Sequence, residues 1–491
     1  MEDSNSLKSK TITGLLWSFA DLLANHGIQF IIQIILARLL LPQHFGIIGL
    51  VLVFIVISNS IVDSGFSQAL IRDQNTSQVD YSTVFYFNLL VAFVMYGVLF
   101  NFSNAISVFF GEPQLTEIIR IISLVLIINS LGIIQKVILI KNIDFRTITK
   151  ISIVAATISG GITITLAILG YGVWSLVINI LAMQFVQMLL MWIFNKWIPS
   201  ITFSLQSFKK FFVFGYKLLL SGLIDTFYNN ILFLIIGKFY SSTQLGFYTN
   251  AVKFRDLATL SITASVQRVS YPILSSIQED EQRLKSAFKM LIKTSAFINF
   301  PLMIGLVVIA NPLFNLLLGE KWIPSVIYFQ LLCLAGMLFP LHAINLNILQ
   351  VKGRSDLFLL LEIIKKTVLT LLIAVSLLCG LGIVGLIGAT VINSYISLFI
   401  NAYYSSREID YSAKEQLRDL MPVFLITLFM GVIVSVSGLI ITENHFIKLI
   451  FQICIGLVVY VTVSKLAKVQ ELWIVYRLIS SIFTKLKVKK I

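Results

Sequence analysis

Two stretches of sequence decide the fold: Arg38-Leu-Leu-Leu-Pro-Gln-His-Phe-Gly46 and Lys238-Phe-Tyr-Ser-Ser-Thr-Gln-Leu-Gly246. Arg38 and Lys238 lie 200 positions apart, and so do Gly46 and Gly246. Further pairs follow in the same order, at this offset or a slightly longer one: Asn25 with Asp225, Gln29 with Asn229, Gly111-Glu112 with Gly319-Glu320, Lys141 with Lys352, and Gly170-Tyr-Gly172 with Gly380-Leu-Gly382. The chain is therefore predicted to contain two copies of one structural unit.

The composition places both copies in a membrane. Of the 491 residues, 57% are hydrophobic and only 12% are charged, whereas soluble domains carry about a quarter charged residues. Apolar runs of about 20 residues recur along the chain, as membrane-spanning helices require, whereas a barrel would show runs of about 10 alternating residues. We therefore predict an all-α polytopic membrane protein.

Fourteen apolar segments give the predicted helices. They lie near residues 11–37, 45–70, 82–109, 116–140, 148–169, 173–195, 212–237, 243–272, 288–310, 323–350, 357–379, 383–404, 420–441 and 447–464. The first six and the next six form the two copies, and the last two are additional. The predicted regions are an N-lobe at 1–196, a cytoplasmic linker at 197–211, a C-lobe at 212–406, two further helices at 407–464 and a basic amphipathic tail at 465–491.

The net charge of +14 is explained by orientation rather than by nucleic acid. Most lysines and arginines fall on one side when both ends of the chain are placed in the cytoplasm, as the positive-inside rule requires. The tail is expected to lie on the anionic inner leaflet. The three cysteines, Cys333, Cys379 and Cys454, all lie in apolar runs, which excludes a disulfide framework or a metal cluster.

Each copy has an even number of helices, so both enter the membrane in the same sense, and two lobes should face a central space, as in transporters. Polar residues recur every four positions in the first helix, at Asp21, Asn25, Gln29 and Gln33, and in the seventh, at Lys217, Ser221, Asp225 and Asn229. Such a spacing forms one stripe on each helix. We expect both stripes to line a cavity, the alternative being that they hold helices together within a lobe.

The eighth helix supplies candidate anion ligands. Lys253 and Asp256 are three residues apart and can pair, which leaves Arg255 for a phosphate group. The alternative is that Arg255 pairs with Asp63 or Asp225. Asp63 lies near the inner end of the second helix, one turn after Asn59, where a role in capping or pairing is also open.

The eleventh helix carries three charges at membrane depth. Glu362 and Lys366 are expected to pair. Lys365 either lines the cavity or extends back to the lipid headgroups.

No catalytic constellation is found. The four histidines are scattered without metal-site spacing, and the chain has no nucleotide-binding loop. A transporter without a cofactor is therefore expected, with Asp21, Asp225 and Asp256 as candidates for binding a coupling ion.

Several motifs carry a family resemblance. The segments Lys10-Thr-Ile-Thr-Gly-Leu-Leu-Trp-Ser, Leu-Ala-Arg38 through Gly46, Asp63-Ser-Gly-Phe-Ser-Gln-Ala-Leu-Ile, Asp144-Phe-Arg and Gly170-Tyr-Gly-Val-Trp-Ser-Leu together resemble the polysaccharide-transport branch of the MOP exporters, and more narrowly the Wzx- and TuaB-type proteins.

That resemblance implies two lobes of the MATE and MurJ type and a flippase in the bacterial cytoplasmic membrane. Its substrate would be an undecaprenyl-pyrophosphate-linked sugar repeat unit for exopolysaccharide, O-antigen or teichuronic acid assembly. It implies as partners this lipid-linked oligosaccharide, membrane lipids and a polysaccharide polymerase. Related lipid II flippases use cavity arginines on the first helix, where this chain has Asp21 and Asn25, so the resemblance leaves Lys253 and Arg255 for the pyrophosphate.

The leading hypothesis is alternating access, with Asn25, Gln29, Asp225 and Asn229 binding sugar hydroxyls. Lys217 and Lys365 complete the predicted cavity lining. Two alternatives are a MATE-like exporter of cationic drugs, which needs a net acidic cavity, and a membrane polysaccharide polymerase or ligase, which needs a sizeable outer loop.

Overall fold

The computed structural model describes residues 27–440, 444–477 and 480, and within these ranges the chain is helical without a β-strand. The first half contains α1 (Gly27–Leu39), α2 (Pro42–Asp63), α3 (Phe66–Arg72), α4 (Gln78–Phe110), α5 (Leu115–Ile122), α6 (Leu124–Lys141), α7 (Phe145–Ile168), α8 (Val173–Phe194) and α9 (Leu205–Phe239). The second half contains α10 (Ser242–Ser276), α11 (Glu281–Leu318), a short 3-10 helix (Glu320–Trp322), α12 (Ser325–Gly336), α13 (Phe339–Val351), α14 (Ser355–Leu378), α15 (Gly382–Ile409), α16 (Ala413–Ile440) and α17 (His445–Leu466).

The expectation of an all-α membrane protein is confirmed. Among the described residues, 11 helical segments are long and apolar enough to cross a membrane. Helices α10 and α14 overlap the predicted eighth and eleventh segments but carry charged residues, and the described part of α1 is short. A total of fourteen spans therefore stays a prediction.

The chain divides into two compact units, unit 1 (Met1–Thr249) and unit 2 (Asn250–Ile491). Helix α9 packs against α2, α3 and α4 and so belongs to unit 1, whereas the sequence placed it in the C-lobe that begins at 212. Phe211 of α9 joins Phe66, Leu70 and Phe85 in a buried apolar cluster, which explains this attachment. The assignment of lobes stays a prediction.

The backbone repeats itself as the sequence predicts. The amides of Leu169, Gly170 and Tyr171 donate to Thr165, Ala167 and Leu166, and 210 positions later Cys379, Gly380 and Leu381 donate to the equivalent carbonyls. The turn after α6 repeats after α13 at the same offset. In this register Lys352 takes the place of Asn142, one residue away from the predicted match with Lys141.

Two glycines let α2 and the start of α10 cross closely within unit 1. A Cβ atom on Gly46 would lie 1.9 Å from the carbonyl oxygen of Ser242, and one on Gly246 would lie 1.9 Å from the carbonyl oxygen of Pro42. Each copy therefore supplies the glycine that accommodates the backbone of the other. The quoted nine-residue stretches meet at this crossing.

Helix ends and breaks position the polar residues described below. Helix α2 ends at Asp63 because Ser64 and Gly65 adopt left-handed backbone angles, with φ of 48° and 72°. The fourth predicted span is divided into α5 and α6 at Ser123, and the tenth into α12 and α13 after Gly336. The amide of Asn299 donates to the carbonyls of Gly336 and Met337, which satisfies backbone groups that the second break leaves free.

Part of the predicted tail is attached to unit 2. Residues 470–477 are helical, and the buried carboxylate of Glu471 lies 2.7 Å from the ammonium of Lys293 on α11. Trp473 and Tyr476 are exposed, which suits an amphipathic segment at a membrane surface. Residues 478, 479 and 481–491 of the tail lie outside the described residues.

Candidate functional site

The main candidate site is a polar cavity of about 480 Å³ inside unit 1. Helices α2 and α3 contribute Asn59, Asp63 and Ser67. Helix α6 contributes Asn129 and Lys136, and α8 contributes Gln184 and Gln187. Isoleucine, valine and methionine side chains complete the wall, among them Ile133 and Met188. The cavity thus combines hydrogen-bonding and apolar surfaces within one helical unit.

The polar side of this cavity is ordered by direct contacts. The amide of Asn129 donates to the Oδ1 atom of Asn59 across 3.2 Å. The carboxylate of Asp63 accepts hydrogen bonds from both the hydroxyl and the backbone amide of Ser67. The break after α2 makes the second contact possible, because it turns the amides of α3 toward the end of α2.

Gly132 lines this cavity where α6 packs against α8. A Cβ atom added at Gly132 would reach Met188 at 3.8 Å, an ordinary van der Waals distance. Helices α2, α6 and α8 belong to the second, fourth and sixth spans and so run in the same direction. The cavity lies toward their C-terminal ends, on the side that the sequence assigns to the cytoplasm, and Lys136 is exposed there.

The equivalent region of unit 2 contains hydrogen-bonded side chains. His342 lies 210 positions after Gly132, and its Nε2 atom is 3.0 Å from the hydroxyl of Ser394. Its Nδ1 atom is 3.3 Å from the amide of Asn401. Ser394 and Asn401 occupy the positions of Gln184 and Met191 in the first copy. A hydrogen-bonded network therefore occupies these positions in unit 2.

Arg255 has a local partner, so the expectation that it is left unpaired on its own helix is wrong. Its Nε atom donates to Oδ1 of Asp256 at 2.7 Å, and Nη2 lies 2.6 Å from the same oxygen. Adjacent residues on a helix point about 100° apart, but the long arginine side chain spans that angle. The guanidinium also lies 5.4 Å from the ring centre of Phe339. The pairing between Lys253 and Asp256 that the spacing suggested is replaced by this contact.

The other predicted cations of unit 2 lie on α10 and α14. Lys253 lies on α10, two residues before Arg255. On α14 the ammonium of Lys365 lies 2.5 Å from Glu362 Oε1, and that of Lys366 lies 3.8 Å from Oε2. The expected pairing of Glu362 with Lys366 is confirmed, and Lys365 shares the same carboxylate.

The polar stripe of α9 is exposed rather than drawn into the cavity of unit 1. Lys217, Asp225 and Asn229 are all exposed within the structure. The ammonium of Lys217 is 6.0 Å from the ring centre of Tyr216. On α1 the amide of Gln29 lies 3.8 Å from the sulfur of Met183. Asp21 and Asn25 lie outside the described residues, so the predicted stripe of the first helix is only partly described.

Sequence reasoning missed most of the cavity of unit 1. Asn129 and Lys136 are seven residues apart on α6, and Gln184 and Gln187 are three apart on α8. Both spacings place the two residues on one face of a helix. Polar residues at such spacings in otherwise apolar spans could have indicated a polar face on each of the two helices. The sequence does not indicate that the polar faces of α6 and α8 meet.

Comparison with known proteins adds the family. The chain is similar to the teichuronic acid biosynthesis protein TuaB of Bacillus subtilis, with 28% identity over 398 residues that cover 80% of this chain and 81% of the relative. It is 26% identical over 408 residues to the lipopolysaccharide biosynthesis protein WzxC of Escherichia coli, covering 80% and 81% of the two chains. Its fold is similar to that of the lipid II flippase MurJ in an inward closed conformation, with a TM-score of 0.74 and 16% identity over 93% of this chain and 98% of the other. Residues 35–327, more than half of the chain, match the family described as polysaccharide biosynthesis protein, and the chain therefore belongs to that family.

Proposed function

We propose that this protein is a flippase for undecaprenyl-pyrophosphate-linked oligosaccharide repeat units. It moves them from the inner to the outer leaflet of a bacterial cytoplasmic membrane by alternating access, with both ends of the chain in the cytoplasm. Family membership supports a role in polysaccharide biosynthesis, and the relatives' names include teichuronic acid and lipopolysaccharide products. The transporter-type fold favours movement of a precursor over its synthesis.

The observation that carries the proposal is the hydrogen-bonding cavity of unit 1, at membrane depth. Polar side chains inside a membrane are costly and mark substrate pathways. A cavity of this size falls within the range of small-molecule sites. A flippase needs such a surface because the sugars of its substrate must cross the hydrocarbon region, where lipid offers them no hydrogen bonds.

Unit 2 supplies the positive charge that a pyrophosphate requires. Arg255 uses its Nε and Nη2 atoms on Asp256, and a guanidinium has five N–H donors, so others can reach a phosphate oxygen. Lys253 and Lys365 are the further candidate phosphate contacts. Outward movement of an anion is favoured by an inside-negative potential, by about 2.3 kcal/mol per charge and 100 mV.

Three further roles complete the proposal. Asn25, Gln29, Asp225 and Asn229 contact sugar hydroxyls along the translocation path. Asp21, Asp225 and Asp256 are candidate sites for a coupling proton or sodium ion, which transport measurements with each gradient collapsed would test. A polysaccharide polymerase consumes the repeat unit once it reaches the outer leaflet.

The test is the leaflet distribution of the lipid-linked repeat unit in a strain that lacks this gene. We expect the unit to be trapped on the inner leaflet and surface polymer to be lost, and both to be restored by the wild-type gene. Repeat units that reach the outer leaflet unpolymerised would overturn the proposal and assign the protein to assembly.

A point variant tests the anion contact in the same strain. Arg255→Ala should lower export at least about tenfold, since charged hydrogen bonds contribute about 1.5–3 kcal/mol, while the protein still accumulates in the membrane. Arg283→Ala is the matched control because Arg283 is 79% exposed at the start of α11. Normal export by the Arg255 variant would remove Arg255 from the pathway.

A further inference from the structure

We propose that the cavity of unit 1 binds an uncharged sugar residue of the transported glycan, and that Gly132 sets the size of the sugar it accepts. This inference rests on the proposed function and adds a substrate class and a specificity determinant to it. Lipid carrier and pyrophosphate are then recognised elsewhere.

The charges of the cavity favour a neutral ligand. Asp63 and Lys136 are its two charged side chains, and their charges are opposite. Asp63 already accepts two hydrogen bonds from Ser67. A net anion would meet the carboxylate and a net cation would meet the ammonium, so neither gains from the site as a whole.

The remaining polar groups suit hydroxyls. Asn59, Asn129, Gln184 and Gln187 bring four carboxamides to one cavity, and each carboxamide offers two donors and an acceptor. A sugar hydroxyl both donates and accepts, so such a lining satisfies it in either sense. The apolar wall around Met188 provides contact for the C–H faces of a sugar ring.

The two copies differ at the position of Gly132. In unit 2 the position of Gly132 is taken by His342, whose ring contacts Ser394 and Asn401. A side chain longer than a methyl group at position 132 would meet Met188, which is 3.8 Å from the Cβ position, and would reduce the space of the cavity that both residues line. The size of residue 132 therefore controls entry of a ring-sized ligand.

The experiment uses full-length protein in proteoliposomes that contain the lipid-linked repeat units extracted from the deletion strain. Gly132→Leu should reduce translocation to the background of protein-free vesicles, and Gly132→Ala should reduce it less. Gly161→Leu is the control, since a Cβ on Gly161 meets nothing within 4 Å and the residue lies on the exposed face of α7. Translocation by Gly132→Leu at the rate of Gly161→Leu would overturn the inference.

A double variant provides a second test if Gly132→Leu does not fold. Asn129→Leu combined with Gln184→Leu removes two carboxamides at nearly constant volume. Loss of translocation with a wild-type melting temperature supports the sugar site, and unchanged translocation contradicts it.

The charge of the ligand is tested with Asp63→Asn and Lys136→Gln. For a neutral sugar each variant should change translocation by no more than about tenfold, the size expected for one hydrogen bond. Loss to background for Lys136→Gln alone would identify an anion, and loss for Asp63→Asn alone would identify a cation, and either result overturns the neutral-sugar assignment. If wild-type protein does not translocate the repeat unit, the proposed function fails, whereas failure of this inference leaves wild-type translocation intact.

Discussion

The two copies of the repeat have the same backbone turns but different side chains in their interiors. In unit 1 helices α6 and α8 line a cavity that includes Gly132, and in unit 2 the equivalent residue, His342 on α13, contacts Ser394 and Asn401 on α15. Helices α13 and α15 pack in the same register as α6 and the end of α8. The evidence is that Asn195 contacts Gln135 in the first copy and that Ser405 contacts Asn345, at the equivalent positions, in the second. The residue at this position, glycine in one copy and histidine in the other, is therefore one clear difference between the two interiors.

Helices α7 and α14 show the same divergence in charge. Ser152, Ala155 and Ala156 are buried on α7, and the equivalent positions on α14 are Glu362, Lys365 and Lys366. Small residues allow α7 to pack closely on α8, whereas the charged residues of α14 pair with one another. At these equivalent positions α7 thus has small buried side chains, whereas α14 has an ionic group.

The largest loss of stability is expected at the crossing of Gly46 and Gly246, where both copies have a glycine. Gly46→Ala and Gly246→Ala each place a methyl group 1.9 Å from a backbone carbonyl, so the helices must separate. We expect each variant to lose about 3 kcal/mol of unfolding free energy or more, by similar amounts. Thermal unfolding of purified protein, followed by tryptophan fluorescence, measures this loss.

The control for the crossing is Gly97→Ala on α4, where an added Cβ meets nothing within 4 Å. It should not lower the melting temperature. A crossing variant that melts like Gly97→Ala would show that the two glycines are not needed for close approach.

A smaller effect is expected where the copies differ most. His342→Ala removes a ring that contacts Ser394 and Asn401. The polar atoms of these two residues then lose their hydrogen bonds to the ring. We expect a loss of about 2–4 kcal/mol, from the cavity and from unsatisfied polar groups. His342→Gln should recover part of it, because a carboxamide can replace one contact. Equal stability of His342→Ala and wild type would mean that unit 2 tolerates the open interior of unit 1.

The smallest effect is electrostatic and depends on pH. Asp73, in the loop after α3, pairs with Lys210 of α9, and the hydrogen bond from Lys210 holds the pKa of Asp73 below its usual value. The contribution of this pair to stability is thus present above a pH of about 4. It is lost as the pH falls through the lowered pKa of Asp73.

Melting temperatures between pH 3 and pH 7 test this pair, with Asp73→Asn as the comparison. The difference between wild type and variant should shrink toward low pH. A constant difference would assign the effect of Asp73 to packing instead of charge. Because both side chains are partly exposed, the effect should be small.

Much of this fold could be read from sequence, because its determinants are local. Apolar runs of span length predict the helices, and the spaced glycines of Gly170-Tyr-Gly172 and Gly380-Leu-Gly382 predict two turns that the structure contains. The repeat is visible because both copies need the same turns. The breaks between α5 and α6 and between α12 and α13 were not predicted, because an uninterrupted apolar run covers each of them.

The candidate site was less accessible to sequence reasoning. The pairing of Arg255 with Asp256 was not predicted, because the spacing of three residues assigned Asp256 to Lys253. The cavity depends on which helices pack together around Gly132. These contacts and this cavity follow from tertiary packing, which the periodicity of a single helix does not predict.

The reciprocal glycine crossing has an evolutionary consequence. If the chain arose by duplication of a shorter gene, a larger residue at position 46 or 246 would harm both halves, since each glycine makes room for the backbone of the other. Neither copy could then drift alone at this point, while interior positions such as 132 and 342 were free to specialise. The oldest trace of the ancestral gene should therefore persist in the two nine-residue stretches that meet there.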